Sequence, residues 1–327
     1  MRKRTFLVLL VICLMVVAGC STVGKNEITK KINLKESELH PKEYPTTQAE
    51  LYLSKLLEEK SGGRINLKVY PGGQLGQGKV IQDAINAGII DMDRSGVEAY
   101  AKVIPMTETF IMPFLFRDES HVWKVLDGPI GERLAQEFEK HDIIILGYYA
   151  AGARSFYTSK PVTTVDDIKG MKIRVIPSDL FKNMMQALGA TGVEILFNDI
   201  YPKIQTEDVD GAENNLPSYL TGKHYELAPY LVLDEHLFIP EFLYVSKKTW
   251  NSLSPEDQKL LKECATEAAK LQRKLWAEFD LKAMKELESK GVKIIKPNKE
   301  PFRKAMQSLY DKYPQHKELI KEIQAVN

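Results

Sequence analysis

The sequence predicts an α/β protein of two domains with mainly parallel sheets. Strand-like and helix-like segments alternate through the first two thirds of the chain. The chain has 327 residues, about 308 after a leader-like start, and that exceeds one comfortable hydrophobic core. The carboxyl third then carries an unbroken helical pattern too long for either domain alone. No fixed-period repeat is present.

Taken in order, Lys25 to Lys35 is polar and basic and reads as a linker. Thr46 or Thr47 can cap a helix through Leu51, Leu53, Leu56 and Leu57, stopped by Gly62 and Gly63. Ile65 to Tyr70 alternates as a strand. A glycine-rich turn leads into a helix from Val80 to Ala87, stopped by Gly88. Ile143 to Tyr149 and Met171 to Ile176 are strand runs, and Asn183 to Leu188 is helical up to Gly189. Ser254-Pro255-Glu256-Asp257 supplies a cap, a proline at the first helical position and acids in the first turn. Leu260, Leu261, Cys264, Ala268, Leu271, Leu275, Phe279, Ala283 and Leu287 continue at three-to-four spacing until Gly291. At about 1.5 Å per residue that helix is near 50 Å long and can lie across both domains as a strut. A coiled-coil arm is the alternative, but the stripe is alanine-rich rather than a strict heptad.

The amino end points outside the cytoplasmic membrane. Arg2, Lys3 and Arg4 precede an apolar run from Phe6 to Ala18, too short to span a bilayer at about 20 residues per crossing but suited to a signal-peptide core. Val17-Ala18-Gly19-Cys20-Ser21 resembles the lipobox of bacterial lipoproteins, which makes residues 1–19 a signal peptide and Cys20 the lipidated amino terminus. An uncleaved anchor helix with an incidental cysteine is the alternative. Removing a leader with three positive charges takes the formal charge from +1 to about −2, which argues against a nucleic-acid partner. Of three cysteines, only Cys264 remains in the body, so no intrachain disulfide is expected; a buried, small apolar side chain is its simplest role.

Catalytic and metal signatures are missing from the sequence. Gly73 to Lys79 fits the opening of a phosphate loop, but Val80 stands where Ser or Thr must hold magnesium, so a tight turn is the better reading. None of the six histidines sits in a zinc motif, and there is no G-x-S-x-G elbow. No cofactor is expected. What remains are polar residues at strand ends. Arg154 follows Gly152-Ala153, and Arg174 lies within Lys172-Ile173-Arg174-Val175-Ile176. An arginine between β-branched residues is either solvent-facing or a placed guanidinium. The second case requires an anionic ligand or an internal carboxylate.

These pieces resemble the DctP-type binding proteins of tripartite ATP-independent periplasmic (TRAP) transporters. The likeness rests on Ser61 to Ile65, Tyr70 to Gly76, Pro113 to Phe116 with Leu126-Asp127-Gly128, Gly152-Ala153-Arg154, Asp167 to Val175, and Val209 to Asn214, in that order. The resemblance implies a two-lobed periplasmic-binding-protein-like fold, type II-like, with crossing hinge strands and a long helix spanning both lobes. It implies lobe I at 36–151 plus about 240–279, lobe II at 152–239 plus about 280–327, and a linker at 20–35. It further implies that the chain captures a small organic acid and passes it to a small and a large membrane subunit, without catalysis.

The family's carboxylate-binding arginine falls on Arg174, whose planar fork matches a carboxylate as lysine cannot. Arg154, Asn214 and the aromatic Phe197 are implied as further contacts. Lys79 sits where some relatives carry a ligand-contacting arginine, and Arg94 and Ser95 lie at a strand end facing the cleft. Glu38 and His40 could offer hydroxyl partners. The stretch holding Asn215, His224 and His236 is similar to relatives that bind sugar acids such as hexuronates, and less so to the C4-dicarboxylate or sialic acid branches. The simplest role for both histidines is structural; His236 and Asn215 are also candidate contacts. An enzyme on the same scaffold and a receptor serving a sensor are the rival readings.

Overall fold

The computed structural model describes residues 31–327. The signal peptide, Cys20 and most of the linker lie outside the described residues. The chain starts with strand β1 (Ile32–Ser37), so the sheet begins inside the stretch read as linker. Helix α1 (Pro45–Lys60) follows. Neither Thr46 nor Thr47 caps it, because Pro45 at the first helical position starts the helix directly after the extended Tyr44. A proline there loses no helical hydrogen bond and has its φ preset. Then come β2 (Ile65–Tyr70), α2 (Lys79–Asn86), β3 (Met92–Gly96), α3 (Glu119–Leu126), α4 (Pro129–Lys140) and β4 (Ile143–Tyr149).

After Ala150-Ala151-Gly152 the chain enters a second sheet. It runs through β5 (Ala153–Thr158), β6 (Lys172–Val175), α5 (Asp179–Ala187), β7 (Thr191–Glu194), α6 (Ile200–Gln205), β8 (Gly211–Asn214), α7 (Leu216–Thr221) and β9 (Tyr230–Phe238). Strand β10 (Glu241–Ser246) returns to the first sheet, and α8 (Lys247–Ser252) follows it. The long α9 (Pro255–Ser289) leads to β11 (Lys293–Ile295), α10 (Lys299–Met306) and short closing helices. The strand orders are β2-β1-β3-β10-β4 and β11-β9-β5-β8-β6-β7.

The sheets are mixed, which corrects the expectation of mainly parallel ones. Strand β10 runs antiparallel to β3 and β4, and β5 runs antiparallel to β8 and β9. Strands β4 and β9 each hand the chain directly to the other sheet. The strands that arrive this way lack the helical crossover that sets a parallel direction.

One buried cluster lies under both sheets, joining Phe242 and Tyr244 of the first sheet and Phe138 of α4 to Phe156 and Ile173 of the second sheet and Phe181 of α5. A second packs Leu53, Leu57 and Leu67 against Leu261 and Ala265 of α9. A third packs Tyr157, Tyr219 and Leu231 against Ala283 and Leu287 at the other end of the same helix. Helix α9 therefore fastens both lobes, as its length foretold. Its Ser254 cap accepts from the Asp257 backbone N–H, a contact worth about 1 kcal/mol. At mid-length Gln272 accepts from the Ala150 N–H at 2.7 Å and donates to the Ala150 carbonyl at 2.9 Å, satisfying the crossing strand. Gly152 has φ +64, and a Cβ there would lie 3.0 Å from the indole nitrogen of buried Trp276. Only glycine supplies both that backbone angle and that clearance. Cys264 is fully buried in α9.

Candidate functional site

The second sheet supplies the positive side of the cleft. Strand β6 lies between β7 and β8, with Arg174 opposite Val193 and Ala212. Arg174 is only 3% exposed. Its Nε donates to the Ile195 carbonyl at 2.8 Å, while Nη1 is buried with no hydrogen-bond partner among the described residues. Burial brings its pKa down to about 10, which still leaves it charged at neutral pH. Next to it, Tyr157 and His224 share a hydrogen bond of 2.7 Å between Oη and Nδ1. Burial and the Arg174 charge lower the His224 pKa to about 3, so that ring is neutral.

Arg154 has a different fate. Its Nε and Nη2 donate to the two carboxylate oxygens of Glu213 at 2.6 and 2.9 Å, and Nη1 donates to Asn214 Oδ1 at 2.8 Å. Burial opposes ionisation of Glu213, yet Arg154 and His236 outweigh it and bring the carboxyl to about 2. His236 is fully buried, stacked on Phe156 at 4.5 Å, with Nδ1 2.8 Å from Asp234 and Nε2 3.7 Å from Glu213. Burial works against its charge, but Asp234 and Glu213 prevail and raise its pKa to about 9. Asn215 caps α7 by accepting from the Ser218 N–H at 2.8 Å. The fold thus employs His236 and Asn215 itself.

The first sheet presents the opposite face. Arg94 is 7% exposed, and its Nε and Nη2 donate to Glu38 at 3.0 and 2.7 Å. Its Nη1 lies 3.2 Å from Glu241. Glu38 also accepts from the His40 N–H at 2.7 Å. The His40 ring stacks on Tyr44 with centroids 3.8 Å apart, and burial drives its pKa to about 3. Its Nδ1 has no partner among the described residues. Half-buried Ser95 directs its hydroxyl to the Gly96 carbonyl at 3.4 Å.

The two faces touch. His40 meets Phe197 edge-on at 5.0 Å, and Phe197 in turn meets His224 at 5.8 Å. The Tyr44 and Ser218 hydroxyls share a hydrogen bond of 3.0 Å. His40, Phe197 and His224 therefore form one aromatic chain between the two faces, with the Arg174 charge felt at its His224 end. Lys79 does not join them. Its side chain is 81% exposed and pairs with Asp83 at 2.6 Å on the outer face of α2. Sequence reasoning missed Glu98, a half-buried acid whose Oε2 is buried and unpartnered among the described residues. It also missed Tyr157. The one signal for Glu98 is a glycine ending a strand two residues before an acid.

An arrangement with a buried, charged and incompletely bonded guanidinium is suited to holding an anion. Among the described residues no group of three or more metal-ligating side chains is assembled, and no helix is long and apolar enough to cross a membrane. Residues 37–316 match the family DctP, described as bacterial extracellular solute-binding protein, family 7. A solute-binding protein of Chromohalobacter salexigens is 35% identical over 292 residues, 88% of this chain and 87% of that one. The 2,3-diketo-L-gulonate-binding periplasmic protein of Escherichia coli is 33% identical over 241 residues, 73% of this chain and 74% of that one. A TRAP periplasmic solute-binding protein of Pseudomonas putida F1, solved with bound D-glucuronate, superposes with a TM-score of 0.88 at 39% identity. The match covers 90% of this chain and 98% of that one. Its counterpart from Xanthobacter autotrophicus Py2, with bound β-D-galacturonate, gives 0.87 at 35% identity over 90% and 100%.

Proposed function

This chain belongs to the DctP family of TRAP solute-binding proteins, and on that footing we propose that it captures a hexuronate through its carboxylate on Arg174. The observation that carries the assignment is the Arg174 guanidinium, 97% removed from solvent with a buried nitrogen that no group among the described residues answers. Relatives of the same fold holding glucuronate and galacturonate support the ligand class. Phe197 packs against the sugar ring, Asn214 lies at the carboxylate end with Arg154 holding it in place, and His40 lines the hydroxyl end with the Arg94-bound Glu38 behind it. The lobes divide where the chain crosses between the sheets, at about 151–152 and 239–240, and close on the ligand. The loaded protein hands the acid to a small and a large membrane subunit and does not transform it.

Calorimetry with D-glucuronate and D-galacturonate tests the assignment. Removing one partner of a buried, hydrogen-bonded charge pair costs about 2–5 kcal/mol, or roughly 30- to several-thousand-fold in affinity. Arg174→Ala is expected to lose that much, and Arg174→Lys to recover only part of it. A folded Arg174→Ala protein binding either acid within threefold of the parent refutes the role. The lipid tether at Cys20 is tested separately. Cys20→Ser should leave the membrane fraction or stay unprocessed, and unchanged attachment with normal processing would contradict it.

A further inference from the structure

We propose that Glu98 reads a hydroxyl of the bound acid and so selects polyhydroxylated monocarboxylates over dicarboxylates. The inference rests on the carboxylate end of the ligand lying on Arg174, as assigned above. It starts from Gly96, the last residue of β3. Gly96 has φ −84 and ψ 155, angles open to any residue, so its backbone does not demand glycine. Space does. A Cβ on Gly96 would lie 2.1 Å from Glu98 Oε2 and 2.6 Å from Oε1, because the Glu98 side chain folds back over the Gly96 α-carbon. The missing side chain makes the cradle that the carboxyl occupies.

The cradle is fixed to the first sheet at the end of β3. Gly96 is in register with Glu241 of β10, and the Val97 N–H donates to the Pro240 carbonyl at 3.0 Å. Arg94 and Glu241 share the near side, and their own pair is already made at 3.2 Å. The charges of Arg154 and Arg174 are also felt at Glu98. Oε2 is buried without a partner among the described residues, although a buried carboxyl oxygen normally has one. Burial, helped by Glu241, raises the Glu98 pKa to about 7 against the opposing pull of the residue's own backbone N–H, Arg154 and Arg94.

A sugar hydroxyl both donates and accepts, so it satisfies this carboxyl in either protonation state. A second carboxylate does neither without cost, since it meets a like charge. A ligand with only methylene groups at that point leaves the buried oxygen unpaired, the arrangement that gives strong rejection of analogues lacking the group.

The test is calorimetry at pH 8, where Glu98 is ionised, on the mature protein, E98A and E98Q, with D-glucuronate, D-galacturonate and succinate. E98A should bind the hexuronates about 10- to 100-fold more weakly. E98Q keeps a donor and an acceptor, so it should hold the hexuronates within about fivefold while gaining about tenfold for succinate. Deoxy analogues of the preferred hexuronate identify the partner, because E98A should cost nothing with the one that lacks the hydroxyl being read. Thermal melts confirm folding, and if E98A does not fold, E98Q decides. The inference is overturned if folded E98A binds both hexuronates within threefold of the parent. It is also overturned if E98Q leaves the hexuronate-to-succinate ratio within threefold. A parent that binds neither hexuronate overturns the hexuronate reading, and this inference with it.

Discussion

Arg94 and Arg174 both sit on interior strands and both are all but hidden from water, at 7% and 3% exposure. Their surroundings differ completely. Arg94 is ringed by Glu38 and Glu241, with the buried carboxyls of Glu36 and Glu50 and the half-buried Asp93 nearby. Burial raises the pKa of each of those three, and the Glu38 charge adds to the effect. Around Arg174 the acids are already spent, since Glu213 is taken by Arg154 and His236. Burying an ion costs several kcal/mol unless its neighbours answer it. One side of the cleft answers its cation in full and keeps a surplus of acid. The other leaves a cation with one nitrogen unanswered among the described residues. In the orientation proposed above, a sugar acid meets both conditions, its carboxylate turned to the second sheet and its hydroxyls to the first.

The contrast predicts opposite stability changes. Arg94→Ala strands Glu38 and Glu241 in the interior and should destabilise the fold by about 3–5 kcal/mol. Arg174→Ala removes an incompletely bonded buried charge and should leave stability unchanged or raise it, while abolishing tight binding. Urea midpoints of the two empty variants check this, and equal losses would break the comparison.

The buried histidines sharpen it through pH. His236 has a folded pKa of about 9, above the unfolded value of about 6.5. Its stabilisation, about 1–3 kcal/mol, is complete below pH 6.5 and disappears as pH rises through 9. His40 is the reverse, with a folded pKa of about 3, so the unfolded chain binds the extra proton and stability falls as pH drops below about 6.5. Denaturation midpoints across that range, compared with those of His236→Gln, should show the alkaline slope vanish in the variant. The smallest effect belongs to Lys79. Its exposed pair with Asp83 is worth no more than about 0.5 kcal/mol, so Lys79→Ala should change the melt and hexuronate affinity very little. A tenfold loss of binding would return Lys79 to the site.

How much of this was legible depended on how local its cause was. Helix α9 could be read from Ser254 to Gly291 because its cap, its first-turn proline and its apolar period are adjacent in sequence. Strands β2 and β4 were visible through their own patterns. An internal carboxylate, one of the two fates offered to a placed arginine, is what Arg154 meets, and the ligand fate is proposed for Arg174; assigning them was not possible from sequence. The carboxylate that claims Arg154 lies 59 residues away, brought beside it when β8 pairs with β5. Strand direction was hidden for the same reason, since a strand's pattern does not say which sheet the chain has just left. Ile32 to Lys35 repeats the Ile-Asn-Leu-Lys that opens β2, but it continues into Glu36-Ser37 where β2 continues into Val69-Tyr70, and it follows a polar, basic run that reads as linker; its place in the sheet comes from pairing with β2. Glu98 needed three-dimensional knowledge that the room above Gly96 is filled from two residues on.

Helix α9 also bears on the lobe closure proposed above. It is bonded to one lobe by Leu261 and Ala265 and to the other by Ala283 and Leu287, and between these ends it contains neither glycine nor an internal proline. Sharp kinks in helices arise at such residues, so a rotation of one lobe against the other must spread as gentle curvature along about 50 Å of rod. The helix then behaves as a leaf spring laid along the back of the jaw. Its stiffness enters the work of opening and closing directly, so replacing Gln272 or Trp276 would retune grip and release without touching a single group that meets the ligand.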